Sequence, residues 1–331
     1  MIDREDAPQP IAEKLDPREE HFRIPGPRPG LSLFLRYLPP SAAVAGRGAG
    51  ILLYVHGATF PSASSIAHRF AGGSWRDALA AAGFHVWGFD FYGFGGSDRY
   101  PEMSEPPEAH PPLCGTEDAA RQIATVVPFI LAHHDARRLS MIAHSWGTIA
   151  TCRFAGEHPA LVDRLVLFGP IARRSPRRYE KPPTVPAWRI VTLADQWARF
   201  VEDVPTSEAP VLSRADFEEW AERYLDSDPD ARRHTPAGVK VPTGPFADIL
   251  RAWHGELGYD PARVSAPVAL IRGEWDGLIP DEDARWLFDA FTRSPEKRDI
   301  KIGRGTHLMH LEAMRHALHR ESIAFLSHGP R

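Results

Sequence analysis

Cysteine is scarce in this sequence, which has only Cys114 and Cys152 among its 331 residues. Two cysteines cannot build a disulfide framework, and neither belongs to a CxxC pair or to a Cys/His spacing typical of zinc sites. We therefore expect a protein of a reducing compartment, the cytoplasm, with no bound metal and no other cofactor.

Long apolar runs and excess basic charge are also absent. No stretch reaches the 18 consecutive apolar residues of a membrane-spanning helix, and the first residues lack the basic start and apolar run of a secretory signal. The formal net charge is −4, which leaves no basic surface of the kind that nucleic acids bind. We expect neither a membrane span nor a nucleic-acid partner, and a small molecule as the partner.

Short apolar runs alternate with segments of helical periodicity along most of the chain. The apolar runs lie at 31–38, 51–55, 84–90, 139–143, 163–168 and 267–272. The helical patterns lie at 74–82, 116–133, 146–157, 281–291 and 307–326. Such alternation predicts an α/β fold with a mostly parallel, doubly wound central sheet. Functional groups are then expected at the carboxyl ends of the strands.

The alternation breaks between residues 170 and 262. A Pro- and Arg-rich linker there leads into aromatic-rich helical segments at 187–201 and 214–225. We interpret 170–262 as an inserted, mainly helical cap on a core formed by 19–169 and 263–331. Residues 1–18 are charged and contain proline, so we expect an arm that is flexible or laid on the surface.

One serine lies where the strand 139–143 turns abruptly into a helix, in the sequence Ala143-His144-Ser145-Trp146-Gly147. On such a turn a serine is held in a strained conformation that exposes its hydroxyl, and small residues two before and two after it prevent clashes. The commonest form of this turn is G-x-S-x-G, so Ala143 is a departure at the first small position. Ser145 is therefore our candidate nucleophile.

A serine nucleophile needs a base, and the base needs an orienting acid. His307 follows a predicted strand near 298–302, in Gly305-Thr306-His307, and Asp276 follows the strand 267–272. Glu274 and Asp281 are rival acids. We expect Glu274 to pair locally or face solvent, and Asp281 to cap the next helix.

The chain order Ser, Asp, His, with each residue placed after a strand, resembles the α/β-hydrolase fold superfamily over residues 20–327. The resemblance implies that Ser145 attacks an acyl carbon, that His307 transfers the proton and that Asp276 orients the imidazole.

The segment His56-Gly57-Ala58, directly after the strand 51–55, resembles the oxyanion loop of the same superfamily. The backbone amides of Ala58 and Trp146 would then stabilise the oxyanion. We expect His56 to hold the loop by hydrogen bonding and not to carry a proton.

The predicted cap is rich in tryptophan and phenylalanine, some of which should line an acyl pocket. The candidate substrate-contacting residues are Trp188, Trp197, Phe200 and Trp220. A basic run at 173–181 could meet an acidic substrate or carrier, although a solvated linker explains it more simply.

Together these features predict a serine hydrolase that cleaves a carboxylic ester with an apolar portion through an acyl-enzyme. A thioesterase or an acyltransferase would use the same triad. An aminopeptidase would need carboxylates from the cap, for which Glu218, Glu219 and Glu222 are available. A ligand-binding receptor that keeps the fold without catalysis is the alternative from another class. Epoxide and haloalkane hydrolases of this fold use an aspartate where Ser145 stands.

Overall fold

The computed structural model describes residues 13–44, 50–174 and 183–327. Within these ranges the chain forms ten strands and eight α-helices. The strands are β1 (Glu20–Pro25), β2 (Ser32–Leu38), β3 (Ile51–Val55), β4 (His85–Asp90), β5 (Leu139–His144), β6 (Val162–Phe168), β7 (Trp188–Thr192), β8 (Gly238–Pro242), β9 (Val268–Gly273) and β10 (Lys297–Ile302). The helices are α1 (Trp75–Ala81), α2 (Thr116–His133), α3 (Gly147–Glu157), α4 (Leu193–Val201), α5 (Arg214–Leu225), α6 (Gly244–Trp253), α7 (Asp281–Ala290) and α8 (Arg315–Leu326).

Eight strands form one sheet in the order β1-β2-β4-β3-β5-β6-β9-β10. Six strands of this sheet are parallel to one another, namely β4, β3, β5, β6, β9 and β10. Strand β2 pairs antiparallel with both β1 and β4. The predicted α/β fold with a mostly parallel central sheet is confirmed. The edge strand β1 lies outside the predicted runs, because two of the six residues of its sequence EHFRIP are charged and only one side chain is buried.

Helices cover both faces of the sheet, so its central strands are buried on both sides. In β3 the side chains of Leu53 and Val55 belong to one apolar cluster, which also holds α2 and α3 residues such as Ile123. The alternate residues Leu52 and Tyr54 belong to a second cluster, with α1 and α8. This two-residue period is that of a strand between two helical layers, which explains the continuous apolar runs in the sequence.

The predicted helix at 307–326 is helical only from Arg315 onward. Before it the chain makes a single 3-10 turn at Met309–Leu311. The cause is local, because Thr306 Oγ1 donates to Glu312 Oε1 at 2.5 Å and folds this segment back on itself. The position of His307 is therefore set by a tight loop and not by a helix.

Residues 183–262 leave the main sheet, as the break in the sequence pattern indicated. They contain helices α4 to α6 and a small antiparallel sheet of β7 and β8. The expected helix at 187–201 begins as strand β7, because Ile190, Val191 and Thr192 are β-branched residues that favour an extended backbone. Thr192 then forms a capping box with Asp195 that starts α4.

Several buried polar contacts attach this segment to the rest of the fold. The Trp220 indole donates to the carbonyl of Ser64 at 2.8 Å, and the Trp146 indole donates to Asp248 of α6 at 2.9 Å. The segment therefore covers the loop after β3 and the start of α3. Its treatment as a separate cap, with bounds at 170 and 262, stays a prediction.

Of the predicted N-terminal arm, residues 13–18 are described and 1–12 lie outside the described residues. Asp16 is buried and accepts a hydrogen bond from Arg69 at 2.6 Å, so this end of the arm is held on the surface. The predicted basic run is described only to Arg174, which pairs with Asp283 at 2.7 Å. No helix in the described ranges is long and apolar enough to cross a bilayer.

Candidate active site

Ser145 occupies the turn between β5 and α3 and has a positive backbone φ of 55°. Such a value is strained for a residue with a side chain, and its amide is fixed by a 2.9 Å hydrogen bond to the carbonyl of Phe168 at the end of β6. A Cβ atom at Gly147 would lie 2.3 Å from the carbonyl oxygen of His56. Glycine is therefore required two residues after the serine, as the pentapeptide pattern indicated.

The structure brings Ser145, His307 and Asp276 together at the carboxyl ends of β5, β9 and β10. His307 Nε2 lies 2.8 Å from Ser145 Oγ, and His307 Nδ1 lies 3.0 Å from each Asp276 carboxylate oxygen. Because a carboxylate only accepts, Nδ1 carries the proton and Nε2 presents its lone pair to the serine hydroxyl. The backbone amide of Leu278 also donates to Asp276, at 3.0 Å, and fixes the carboxylate. All three triad side chains are buried.

The two rival acids lie elsewhere and have other partners. Glu274 is exposed and accepts the backbone amide of Arg304 at 3.0 Å. Asp281 is the first residue of α7 and pairs with Arg272 and Lys301. Neither carboxylate is bonded to His307, so Asp276 is the acid that the geometry joins to the imidazole.

Sequence reasoning missed one residue that shapes this site, Gly169, which directly follows β6. Its φ is +52°, and a Cβ atom there would lie 2.9 Å from His307 Nδ1 and 3.1 Å from an Asp276 oxygen. Only a glycine leaves room for the imidazole and the carboxylate at this point. The signal in the sequence is the pair Gly169-Pro170 directly after a predicted strand.

The loop after β3 lies against the serine turn. A Cβ atom at Gly57 would lie 3.1 Å from the Cβ of Ser145, so the loop approaches the turn closely. Ala58 and Ser145 line the same cavity, and among the described residues the backbone amides of Ala58 and Trp146 have no acceptor. Two amide donors without a described acceptor therefore lie on segments adjoining the serine, and their role as an oxyanion hole stays a prediction.

His56 joins this loop to the loop after β4. The backbone amide of Phe91 donates to His56 Nε2 at 3.0 Å, so Nδ1 carries the hydrogen and donates to the carbonyl of Gly57 at 2.7 Å. Burial lowers the pKa of His56, which keeps the ring neutral. These bonds position the loop and leave the imidazole no free nitrogen for proton transfer.

A second buried imidazole, that of His144, lies behind the triad. Its Nε2 donates to the backbone carbonyl of His307 at 3.0 Å, and its ring stacks on Phe168 at 4.7 Å. Burial lowers the pKa of His144 well below its usual range, and the buried ring of His310 lies 4.6 Å away. The neutral His144 ring therefore fixes the backbone of His307 through this hydrogen bond, while His310 contributes packing.

A cavity of about 220 Å³ opens at Ser145 under the segment 183–262. Its apolar wall consists of Val241, Pro242, Phe246, Ile249, Trp253 and Leu278. Its polar lining consists of Ser145, Thr59, Arg189, Arg199 and Glu202. The side chains that the structure describes form no cluster of three or more His, Cys, Asp or Glu residues that could hold a metal ion.

None of the four predicted substrate-contacting aromatic residues lines this cavity. Phe200 and Trp220 are buried and pack on each other at 5.2 Å, and Trp197 packs on Phe217 at 5.0 Å. Trp188 donates its indole hydrogen to the carbonyl of Glu105 at 3.0 Å. These rings pack within the segment or against the core, and the apolar wall comes from β8, α6 and Leu278. A contact of the four rings with substrate therefore stays a prediction that this cavity does not support.

Comparison with known proteins gives the same fold. A family model described as alpha/beta hydrolase fold matches residues 50–313. A serine hydrolase from the bacterium Cycloclasticus zankles is 18% identical, covers 93% of this chain and 98% of its own, and superposes with a TM-score of 0.59. A monoacylglycerol lipase from Paleococcus ferrophilus is 20% identical, with 89% and 98% covered and a TM-score of 0.55.

A thioesterase domain from the curacin biosynthetic pathway is also similar, at 15% identity, with 94% and 99% of the two chains covered and a TM-score of 0.58. At such identities the likeness to solved structures concerns the fold alone. No curated protein sequence matches the chain. The family model, however, spans most of the chain, and the chain therefore belongs to the alpha/beta hydrolase fold family.

Proposed function

We propose that this protein is a serine hydrolase that cleaves a carboxylic ester with an apolar portion through an acyl-enzyme. The observation that carries the proposal is the hydrogen-bond chain from Asp276 through His307 to Ser145, with distances of 3.0 and 2.8 Å, beside a cavity with an apolar wall. The ester-cleaving lipase of the same fold is consistent with it.

In the first step the Ser145 oxygen attacks the acyl carbon while its proton passes to His307 Nε2. Asp276 holds the imidazole in the tautomer that accepts this proton and stabilises the resulting cation. The negative charge on the acyl oxygen is met by the amides of Ala58 and Trp146, and one such donor is worth about 3 kcal/mol in the transition state.

Collapse of this intermediate breaks the bond to the alcohol, which takes the proton from His307. Water then attacks the acyl-enzyme and gives its proton to the same nitrogen, and the acid leaves with Ser145 restored. Each of these steps uses a group that lies at the cavity, and none requires a cofactor.

Three alternatives use parts of the same geometry. A thioesterase or an acyltransferase would form the same acyl-enzyme, and a thioesterase domain shares the fold. The aminopeptidase hypothesis loses support, because Glu218 and Glu222 pair with Arg214 and Arg232 on the surface and none of the three predicted carboxylates lines the cavity. A non-catalytic receptor would have no reason to keep a bonded nucleophile and base.

The test is covalent labelling by a fluorophosphonate probe, followed by turnover of 4-nitrophenyl esters. Ser145→Ala should abolish labelling and lower kcat by several orders of magnitude with the fold retained, because the hydroxyl contributes little packing. Ser140→Ala, in the same strand, is the matched control and should keep both signals. Labelling of Ser145→Ala, or no labelling of the wild type, would overturn the proposal.

The alternatives separate in the same experiment. A thioesterase would prefer acyl thioesters to oxygen esters of equal chain length. An acyltransferase would give a new ester when a primary alcohol is added, whereas a hydrolase would give the free acid. An enzyme that is labelled but turns over none of these compounds would contradict the ester assignment and leave Ser145 as a nucleophile for another acyl class.

A further inference from the structure

Two arginines line the cavity that contains Ser145, Arg199 from α4 and Arg189 from β7. One carboxylate, that of the exposed Glu202, lines it as well. Among the described residues Glu202 forms no ion pair with either arginine. The cavity beside the proposed nucleophile therefore combines an apolar wall with an excess of positive charge.

Arg199 is held in place by a neutral partner. Its Nη1 donates to Thr59 Oγ1 at 2.8 Å, and its guanidinium lies over the ring of Phe60 at 5.6 Å. Thr59 directly follows Ala58, whose amide faces the serine turn. The guanidinium is thus fixed within one residue of the proposed oxyanion loop.

The absence of a carboxylate partner distinguishes Arg199 from arginines buried in the core. Arg36 pairs with Glu19 at 2.6 Å, and Arg272 pairs with Asp299 at 2.9 Å. Among the described residues Arg199 makes no ion pair, and only one of its five N–H groups donates to the protein. The carboxylates of Glu202 and Asp203 act on Arg199 electrostatically, but neither forms an ion pair with it. A partly buried guanidinium without a directly bonded carboxylate is unfavourable, so its place at the cavity favours an anionic partner there.

The charge itself is permanent. Burial lowers the pKa of Arg199, but a guanidinium starts so high that it stays protonated at any physiological pH. Arg189 adds a second cation, whose guanidinium lies 5.3 Å from the ring centre of Phe246 in the apolar wall. An anion bound at Arg199 would therefore share the cavity with a second positive charge and with apolar surface.

We propose that the substrate of this site carries a carboxylate, bound by Arg199 and assisted by Arg189, in addition to its apolar portion. The inference rests on the proposed function, since it names the substrate class of the same site. A carboxylate suits a guanidinium because two parallel N–H···O bonds can form at once, and the four remaining N–H groups of Arg199 allow that geometry.

The test compares two 4-nitrophenyl esters of equal length, the hydrogen adipate, which is anionic, and the methyl adipate, which is neutral. The wild type should prefer the anionic ester in kcat/KM. In Arg199→Gln the ratio of the two kcat/KM values should fall about 10- to 100-fold, mainly through a higher KM for the anionic ester. Arg199→Lys should recover part of the ratio, because it keeps the charge but not the bidentate geometry.

Arg214→Gln is the matched control, an exposed arginine of the same segment that does not line the cavity. It should leave the ratio unchanged. A second substrate pair, 4-acetoxybenzoate and 4-acetoxybenzamide, places the carboxylate on the leaving group, so the pair that responds to Arg199→Gln shows which part of the substrate the arginine binds.

Two results would overturn the inference. If Arg199→Gln lowers kcat/KM equally for charged and neutral partners in both pairs, the arginine stabilises the oxyanion or the fold and not a substrate carboxylate. If the wild type shows no preference for either anionic partner, the inference fails without any variant being needed. Fluorophosphonate labelling of the wild type tests the proposed nucleophile separately, so the two failures are distinguishable.

Discussion

Gly169 offers a way to disturb the proposed triad without touching any of its members. Gly169→Ala would add a Cβ atom 2.9 Å from both His307 Cε1 and Nδ1 and 3.1 Å from an Asp276 oxygen. Ordinary contacts of a Cβ atom begin at 3.4 Å. The imidazole would therefore have to move by about half an ångström, which disturbs its alignment with the Asp276 carboxylate.

The expected loss follows from the distances in the site. A reacting group misplaced by about 1 Å costs roughly 100-fold in rate, so a shift of half that size should lower kcat about 10-fold. The alanine must also adopt a φ of +52°, which costs about 1 to 2 kcal/mol of stability. Activity should therefore fall much more than this modest destabilisation explains.

Gly72→Ala separates the two effects. Gly72 also has a positive φ, of +81°, but a Cβ atom there would meet nothing within 4 Å. Both variants are to be compared in urea unfolding and in kcat on 4-nitrophenyl butyrate. We expect the two variants to lose similar amounts of stability. Only Gly169→Ala should also lose kcat. If Gly169→Ala keeps the wild-type kcat, the close fit of His307 against this loop does not govern the reaction.

Two further predictions concern acids near the site. Asp276→Asn should lower kcat about 10⁴-fold, while Glu274→Gln and Asp281→Asn stay near wild type; a larger loss at either would move the acid role there. Burial raises the pKa of Glu312 to about 8, from 4.5 in the unfolded chain. The protonated carboxyl therefore contributes fully to the free energy of unfolding below pH 4.5. Between pH 4.5 and 8 this contribution falls by roughly 1.4 kcal/mol per pH unit. Glu312→Gln should remove this slope in urea unfolding at pH 5 to 9; an unchanged slope would contradict it.

The placement of Ser145, Asp276 and His307 at strand ends could be predicted because it depends on local sequence. The serine turn needs small residues at fixed positions around Ser145. Asp276 follows the apolar run of β9, and His307 follows β10, which pairs with β9 in the sheet. Strand β1 could not be found in this way. It is held by backbone pairing to β2 at the sheet edge, and such pairing leaves little trace in a charged sequence.

The wall of the cavity could not be predicted, because it depends on which side of each helix faces the serine. Phe200 and Arg199 are neighbours in α4, yet the phenylalanine packs against Phe60 and Trp220 while the arginine lines the cavity. Composition favours the large aromatic residue for a substrate contact. Phe200 is instead buried among other rings, where it holds the segment 183–262 against the loop after β3.

The contact between Arg199 and Thr59 links the two parts of the site physically. Thr59 directly follows Ala58, whose amide is the proposed oxyanion donor, and Arg199 belongs to the segment 183–262 that covers the cavity. A group bound by the guanidinium would therefore be held at a fixed distance from the acyl carbon that Ser145 is proposed to attack. Binding energy at a remote carboxylate can then orient the ester for reaction, which is how contacts away from the reacting atoms raise kcat as well as affinity.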